Sequence, residues 1–385
     1  MNIGFIEDTY LRGGTQIWVT EANRFFLEQG EEITIIAPTG SYVAEECRKA
    51  GAQAFTYDYD KVGSKDTENK KVWTDGLQNC DVAVCTVHPP RDSFHCSVFA
   101  GECMKESNVN TILIPKTGTI VPEYKREFYL PDESIRSTII AITGFTRTYL
   151  IDSYKLPATG VELIYQGTEV RRFTTNAERK KESFKRYSLP DNASPVLGNV
   201  GMFEERKGQT VLLEAVKILV KGSHPNLHLI LVGEGPDEQM LKGKVEDMGI
   251  GEHVTFFPFT REPVFIFERI DVLVLSSLYK EGLPNVLLEA MSMKVPVVSS
   301  KMAGVPEVVR DGETGYMVEP GKSDQLAEAI SKIWSDQTAY QKMSENGRIL
   351  MEEKFDKEIQ FARFLEYFHK IAGKEYTYAQ QARRT

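Results

Sequence analysis

No run in this chain approaches the ~18 to 20 apolar residues of a membrane-spanning helix. Basic excess is also missing: 46 Lys and Arg stand against 55 Asp and Glu, a net charge of −9. That balance argues against nucleic acid as the partner, because a duplex calls for a basic face. Cysteine is scarce. The five (Cys47, Cys80, Cys85, Cys96, Cys103) fall in the first third of the chain, are odd in number and form no CxxC pair. A disulfide framework and a zinc site are therefore not expected, and a reducing cytoplasm fits. The opening MNIGFIEDTYLRGG has no basic start and meets Glu7 and Asp8 early. It reads as a strand and loop, not a secretory leader. Short-period repeats and low-complexity segments are absent too.

What is present suits a globular enzyme: 385 residues, 41% apolar and 26% charged. That length predicts two domains. Apolar runs at Asn2–Ile6, Glu32–Ala37, Ala54–Tyr57, Val82–Val87, Thr111–Ile114, Ser137–Thr143 and Val161–Tyr165 read as strands. A helix over Thr15–Gln29 and others in most gaps complete a βα alternation, which implies a doubly wound parallel sheet. A basic stretch, 171–190, reads as a linker with a short helix. Alternation then resumes. Strands are expected at Val196–Val200, His228–Val232, Val254–Phe257, Val272–Ser276 and Val297–Val298. Helices are expected over Gly208–Lys221, Asp237–Met248, Ser323–Trp334 with Ser323 as cap, and Lys354–Ala372. The expected division is 1–170, linker 171–190, 191–353, and a last helix with tail over 354–385.

The densest chemistry lies in EGLPNVLLEAM, Glu281 to Met291. Gly282 and Pro284 make its first half a loop. From Asn285 on, Val286, Leu287 and Ala290 follow helical spacing, with Pro284 at the helix start. Glu281 thus precedes a helix N-terminus, whose N–H groups and dipole suit a diphosphate. Glu289 lies about a turn inside, where it can accept hydrogen bonds from a pair of ribose hydroxyls. Earlier, GMFEERKGQT (Gly201 to Thr210) sets Arg206 and Lys207 beside another helix start, an arrangement suited to clamping phosphates. ILVGEGP places Gly233 and Glu234 at a strand's carboxyl end, where ligands of open α/β sheets bind.

The Glu-x7-Glu spacing of Glu281 and Glu289 and its loop wording resemble retaining glycosyltransferases of the GT-B fold, family 4. The resemblance runs from about Val196 to Pro320. It implies two Rossmann-like domains around an interdomain cleft, with the last helix crossing back to the first domain. It further implies transfer of a sugar from a nucleotide-sugar to an acceptor hydroxyl with retention, and no metal or other cofactor. Arg206, Lys207 and Glu281 are the implied catalytic residues. Gly13, Gly14, Gly233, Glu234, Phe259 or Thr260, Gly282, Leu283, Pro284, Asn285 and Glu289 are implied on the donor side. A UDP-sugar is favoured and a GDP-sugar stays open.

The acceptor, a sugar, lipid-linked group or small molecule, falls to the first half. Thr15, Gln16, His88, Lys116 and Thr117 are the candidates there, although His88 also fits a packed residue. A cytoplasmic enzyme, or one held peripherally at the inner face of a membrane, is the expected setting.

Two departures stand out. Met202 occupies the place of a family arginine, and Lys116, Thr117 or Gly118 that of a family histidine. They keep two alternatives open: a GT-B nucleotide-sugar epimerase, and a non-catalytic GT-B subunit binding a partner transferase. Asp58-Tyr59-Asp60 matches a D-x-D metal motif in letters, but sits far from the donor landmarks and reads as a chance match.

Overall fold

A computed structural model describes residues 1–64, 66–88, 94–118 and 125–375. It divides into two compact units: Met1–Gln166 together with the segment from Glu358 onward, and Gly167–Lys357.

The first unit is built on a seven-stranded parallel sheet. Its strands are β1 (Asn2–Ile6), β2 (Glu32–Pro38), β3 (Gln53–Tyr57), β4 (Val82–Thr86), β5 (Ile112–Thr117), β6 (Ile139–Ala141) and β7 (Val161–Leu163), in spatial order β3-β2-β1-β4-β5-β6-β7. Helices α1 (Gly14–Glu28), α2 (Tyr42–Lys49), α3 (Thr67–Gln78), α4 (Cys96–Ser107) and α5 (Gly144–Ser153) make the crossovers. The order turns between β1 and β4, the kind of switch point at which such sheets bind ligands.

The second unit repeats the plan. Helix α6 (Ala177–Arg186) precedes β8 (Val196–Val200), α7 (Gln209–Lys221), β9 (His228–Val232) and α8 (Glu238–Met248). Then come β10 (Val254–Phe257), α9 (Val264–Phe267), β11 (Val272–Leu275), α10 (Asn285–Ser292), β12 (Val297–Ser300) and β13 (Gly315–Val318). Helices α11 (Ser323–Ser335) and α12 (Gln337–Leu350) close it. The six-stranded parallel order is β10-β9-β8-β11-β12-β13. Strands β9 and β11 are buried along their whole length, and β11 reads as an unbroken apolar run. The last helix, α13 (Lys357–Ile371), packs into the first unit's core. The Phe364 and Trp18 rings lie 5.0 Å apart there, and His369 Nε2 meets Glu31 Oε1 at 2.8 Å.

Several expectations need correction. Ser323 is the first helical residue of α11, and Lys322 is the cap, without a side-chain cap bond. The strand expected over Ser137–Thr143 is cut to the three residues of β6, and Thr143, which is buried, instead caps α5 by accepting from the Thr146 N–H. β13 and α12 were not anticipated. β13 is four residues long, and α12 buries only Met343, Ser344, Gly347 and Leu350, too sparse a stripe to stand out. The stretch 171–190 lies within the second unit. Ser183 Oγ of α6 donates to the Phe265 carbonyl at 2.7 Å, and Arg179 pairs with buried Glu268 at 3.1 Å. Lys357, placed with the last helix by sequence, also belongs to this unit.

Candidate active site

In the second unit the site grows from the carboxyl ends of β8, β9 and β11. These three strands are adjacent, β9-β8-β11, so their following loops converge. Two glycines allow the loops to touch. Gly208 has φ of 64°, and a Cβ there would lie 2.1 Å from the Ser276 carbonyl oxygen. Gly233 has φ of 157°, and its Cβ would meet the Gly201 carbonyl at 1.9 Å. Only glycine combines these backbone angles with such close approach. The Leu278 N–H donates to the Arg206 carbonyl at 2.7 Å, and Ser276 Oγ to the Lys207 carbonyl at 3.0 Å. The cationic loop is therefore tied to the loop carrying Glu281.

The side chains then meet. Lys207 Nζ lies 2.5 Å from Glu281 Oε1, and Arg206 Nη1 lies 3.5 Å from the same oxygen. Ser277 Oγ donates to that oxygen at 2.7 Å. Arg206 Nε also pairs with Glu204 at 2.7 Å. Ser277 and Glu204 had not been singled out from the sequence; a serine ending a strand and one glutamate among several carry no motif. The two cations sit in a polar nest where an arriving anion can replace Glu281 as counter-charge.

Pro284 is the N-cap residue of α10, and the helix starts at Asn285. Gly282 and Leu283 lie just before it, with the Gly282 carbonyl held by the Gly304 N–H at 3.1 Å. Glu289, one turn in, has its carboxyl pushed up to about 7 by burial, against the opposing pull of Arg172 and Lys357. Gly233 is buried, while Glu234 is exposed and its carbonyl accepts from the Phe203 N–H at 2.9 Å. Phe259 is 62% exposed, and Thr260 Oγ1 accepts from the Glu262 N–H. Met202 is 54% exposed, and its carbonyl accepts from Gln209 Nε2 at 2.9 Å.

In the first unit Gly13 caps α1 and Gly14 opens it, followed by Thr15 and Gln16. Gln16 bonds twice: its Oε1 accepts from the Gly13 N–H at 3.1 Å, and its Nε2 donates to Glu7 Oε2 at 2.9 Å. Glu7 is buried, and that burial raises its carboxyl to about 7. Lys116, on β5, is buried as well, which lowers its ammonium to about 8 with Glu7 opposing. Its Nζ sits 3.9 Å over the Trp18 ring. Thr117 is buried beside it.

His88 meets Asp8 at 2.7 Å. Burial alone would lower the imidazole, but the Asp8 and Cys96 hydrogen bonds outweigh it and raise it to about 11. Glu7, Asp8 and Cys96 are thus additional members of this region. The sequence hint was two acidic residues directly after β1. Asp58, by contrast, accepts from its neighbour's Asp60 N–H at 3.1 Å and pairs with Lys61, a local turn.

Residues 180–350 match the family described as Glycosyl transferases group 1. The lipopolysaccharide core biosynthesis glycosyltransferase LpsE of Rhizobium meliloti is 34% identical over 43% of this chain and 47% of its own length. A GDP-mannose-dependent phosphatidylinositol monomannoside mannosyltransferase of Mycolicibacterium smegmatis is 30% identical over 54% and 55%. The chain thus spans about half the length of the curated relatives it matches. A glycosyltransferase structure from Rickettsia africae superposes with a TM-score of 0.83 at 17% identity, covering 97% of this chain and 99% of that one. Anabaena HepE in complex with UDP gives 0.83 at 18%, covering 96% and 100%. The chain accordingly has the α/β GT-B fold of two Rossmann-like domains, and its second unit carries a domain of the glycosyl transferases group 1 family.

Proposed function

We propose that this chain is a retaining glycosyltransferase that moves a sugar from a nucleotide-sugar to an acceptor hydroxyl in glycan, polysaccharide or glycoconjugate biosynthesis. The observation that carries the reading is the convergence of Arg206, Lys207 and Glu281 beside the start of α10. Two fixed cations and a helix N-terminus stabilise charge growing on a departing diphosphate. Glu281 holds Lys207 in place until the diphosphate takes over as its counter-charge. The diphosphate in turn accepts the acceptor's proton on the face it leaves, so no protein nucleophile is called for. Glu289 accepts the ribose hydroxyls. Gly233, Glu234, Phe259, Thr260, Gly282, Leu283, Pro284 and Asn285 complete the proposed donor contacts, and Gly13 and Gly14 are counted among them. With methionine at 202, phosphate duty falls on Arg206.

Thr15, Gln16, His88, Lys116 and Thr117 are the proposed acceptor contacts. The donor chemistry works without a metal, because protein cations neutralise the diphosphate. UDP is preferred over GDP in this reading. HepE was crystallised with UDP, and the M. smegmatis relative is GDP-mannose-dependent, so the two nucleotides are the pair to compare. Among the described residues no helix is long and apolar enough to cross a membrane. That suits an enzyme working in the cytoplasm or peripherally at the inner face of a membrane.

A thermal-shift panel of nucleotides tests the donor site. UDP, and more weakly GDP, should raise the melting temperature, since a ligand at 100 times its Kd adds about 2.7 kcal/mol. Chelator should leave that shift unchanged. If no nucleoside diphosphate moves the melting temperature, the donor assignment is wrong. Turnover of UDP-sugar with acceptor by the isolated chain separates a transferase from a non-catalytic subunit, and turnover without acceptor would point to an epimerase.

A further inference from the structure

One cluster in the first unit brings together oxygen, nitrogen and sulfur donors, of which only His88 is among the proposed acceptor contacts. β1 and β4 are neighbours with Ile6 opposite Cys85, so the residues that follow them emerge together. Asp8 follows β1 and His88 follows β4, with His88 Nε2 2.7 Å from Asp8 Oδ1. Cys96 is the first residue of α4. Its position is braced by the preceding residue: the His95 ring stacks on Phe128 at 3.9 Å, and His95 Nδ1 accepts from the Ser97 N–H. One carboxylate oxygen, one imidazole nitrogen and one thiol sulfur, of Asp8, His88 and Cys96, thus lie within 4.8 Å of one another. Asp8 and Cys96 are buried, and the His88 side chain is 24% exposed, leaving a way in.

Oxygen, nitrogen and sulfur donors together are the ligand chemistry of zinc, whose bonds run about 2.0–2.3 Å in a tetrahedron. Donor atoms around such an ion stand roughly 3.3–3.8 Å apart. The Asp8–His88 contact, at 2.7 Å, has to widen to admit it. Magnesium and calcium prefer oxygen alone, so the thiol selects against them. Cys96 opens the twelve-residue helix α4, and its Sγ donates to the Thr86 carbonyl at 3.6 Å, the bond that a metal would replace. The spacing of positions 8, 88 and 96 matches no local metal motif, and topology alone assembles them.

We propose that Asp8, His88 and Cys96 form a zinc site at the carboxyl end of the first unit's sheet, with the fourth position open to water. Binding releases to solvent both the Cys96 thiol proton and the proton that His88 Nε2 shares with Asp8, and replaces the Asp8–His88 hydrogen bond with two metal bonds; nothing is oxidised or reduced.

The full chain, stripped with chelator and titrated with Zn²⁺ and Co²⁺, tests this. The expected results are one equivalent of metal per chain and a thiolate-to-cobalt charge-transfer band. Cys96→Ser should abolish the band and weaken metal binding at least tenfold. His88→Gln should weaken binding while keeping sulfur ligation. The proposal is overturned if the unmodified chain shows no thiolate band, or if Cys96→Ser binds zinc with unchanged stoichiometry and affinity, as surface carboxylates would. Should Cys96→Ser fail to fold, the unmodified chain's cobalt spectrum and His88→Gln still decide. The nucleotide-induced melting shift, read on the same samples, reports the donor site separately.

Discussion

Both units wind a parallel sheet with helices on its faces, yet they handle charge at the strand ends in different ways. In the second unit Arg206 and Lys207 are partly exposed and are paired with Glu281 on a glycine-locked backbone. Lys207 and Arg206 share one oxygen of Glu281, and Glu204 takes the other side of Arg206. In the first unit Glu7, Asp8 and Lys116 are buried. Glu7 and Lys116 are pulled toward neutrality by that burial. One plan therefore supports a site ready to exchange its counter-ion for a diphosphate. The other supports an enclosed polar cluster suited to holding small groups or an ion. The contrast comes from the side chains carried at the strand ends and in the loops after them, Lys116 being on β5 itself.

The sharpest way to break this comparison is to remove a cation from the second unit. Lys207→Ala should cut turnover by about 10²–10³-fold, or 2.7–4 kcal/mol, more than it weakens ground-state donor binding. Arg206→Ala should follow with a smaller loss, since its contact with Glu281 is longer and Glu204 shares it. Steady-state kinetics with donor and acceptor varied separately would check both. Equal losses in donor affinity and turnover would mean that the cations serve only binding.

Next in size is the backbone lock. Gly208→Ala places a Cβ against the Ser276 carbonyl at a left-handed residue. Overpacking plus backbone strain should lower stability by about 1–3 kcal/mol, read by denaturant unfolding. No comparable lock exists at Gly13, where a Cβ would meet only the Gln16 side chain, at 3.2 Å. Gly13→Ala should therefore cost much less, and a reversed order would refute the role given to Gly208.

Glu289 provides a finer probe. Glu289→Ala should raise the Michaelis constant for donor while changing turnover less, because ribose contacts are alike in ground and transition states. If turnover alone collapsed, the ribose role would have to be abandoned. Its titration adds a second reading. A carboxyl at about 7 in the fold, against 4.5 ordinarily, binds more protons folded than unfolded between those values. Stability from this group is therefore present at low pH and declines as pH rises from about 4.5 through 7. One pKa unit corresponds to about 1.36 kcal/mol. Melting curves across that range should be flatter for Glu289→Gln than for the unmodified chain.

The smallest effect is expected where a motif exists in letters only. Asp58→Asn with Asp60→Asn should leave turnover unchanged and shift stability by no more than about 0.5 kcal/mol. A loss of turnover restored by manganese would revive the D-x-D reading.

The same contrast explains what could be read in advance. Arg206 and Lys207 are adjacent, and Glu281 and Glu289 lie one on each side of a helix start, so local spacing exposed the second unit's residues. Short apolar-rich runs exposed strands such as β8 and β9 to the residue. β13 and α12 escaped because a four-residue edge strand and a sparsely apolar helix bearing Gly347 carry little periodicity. In the first unit Glu7, Asp8, His88, Cys96 and Lys116 belong to separate elements, and no spacing rule joins them.

The amino-acid sequence by itself determined the alternation of strands and helices, the doubly wound class and the loops that bear the cations. Those follow from side-chain periodicity and from glycine and proline, which act over a few residues. Tertiary structure alone decided that Lys207 and Arg206 would share an oxygen of Glu281, that Glu289 would be half-buried, and that Asp8, His88 and Cys96 would meet. Contacts between residues tens of positions apart depend on strand order, and strand order is set by which faces can be buried together.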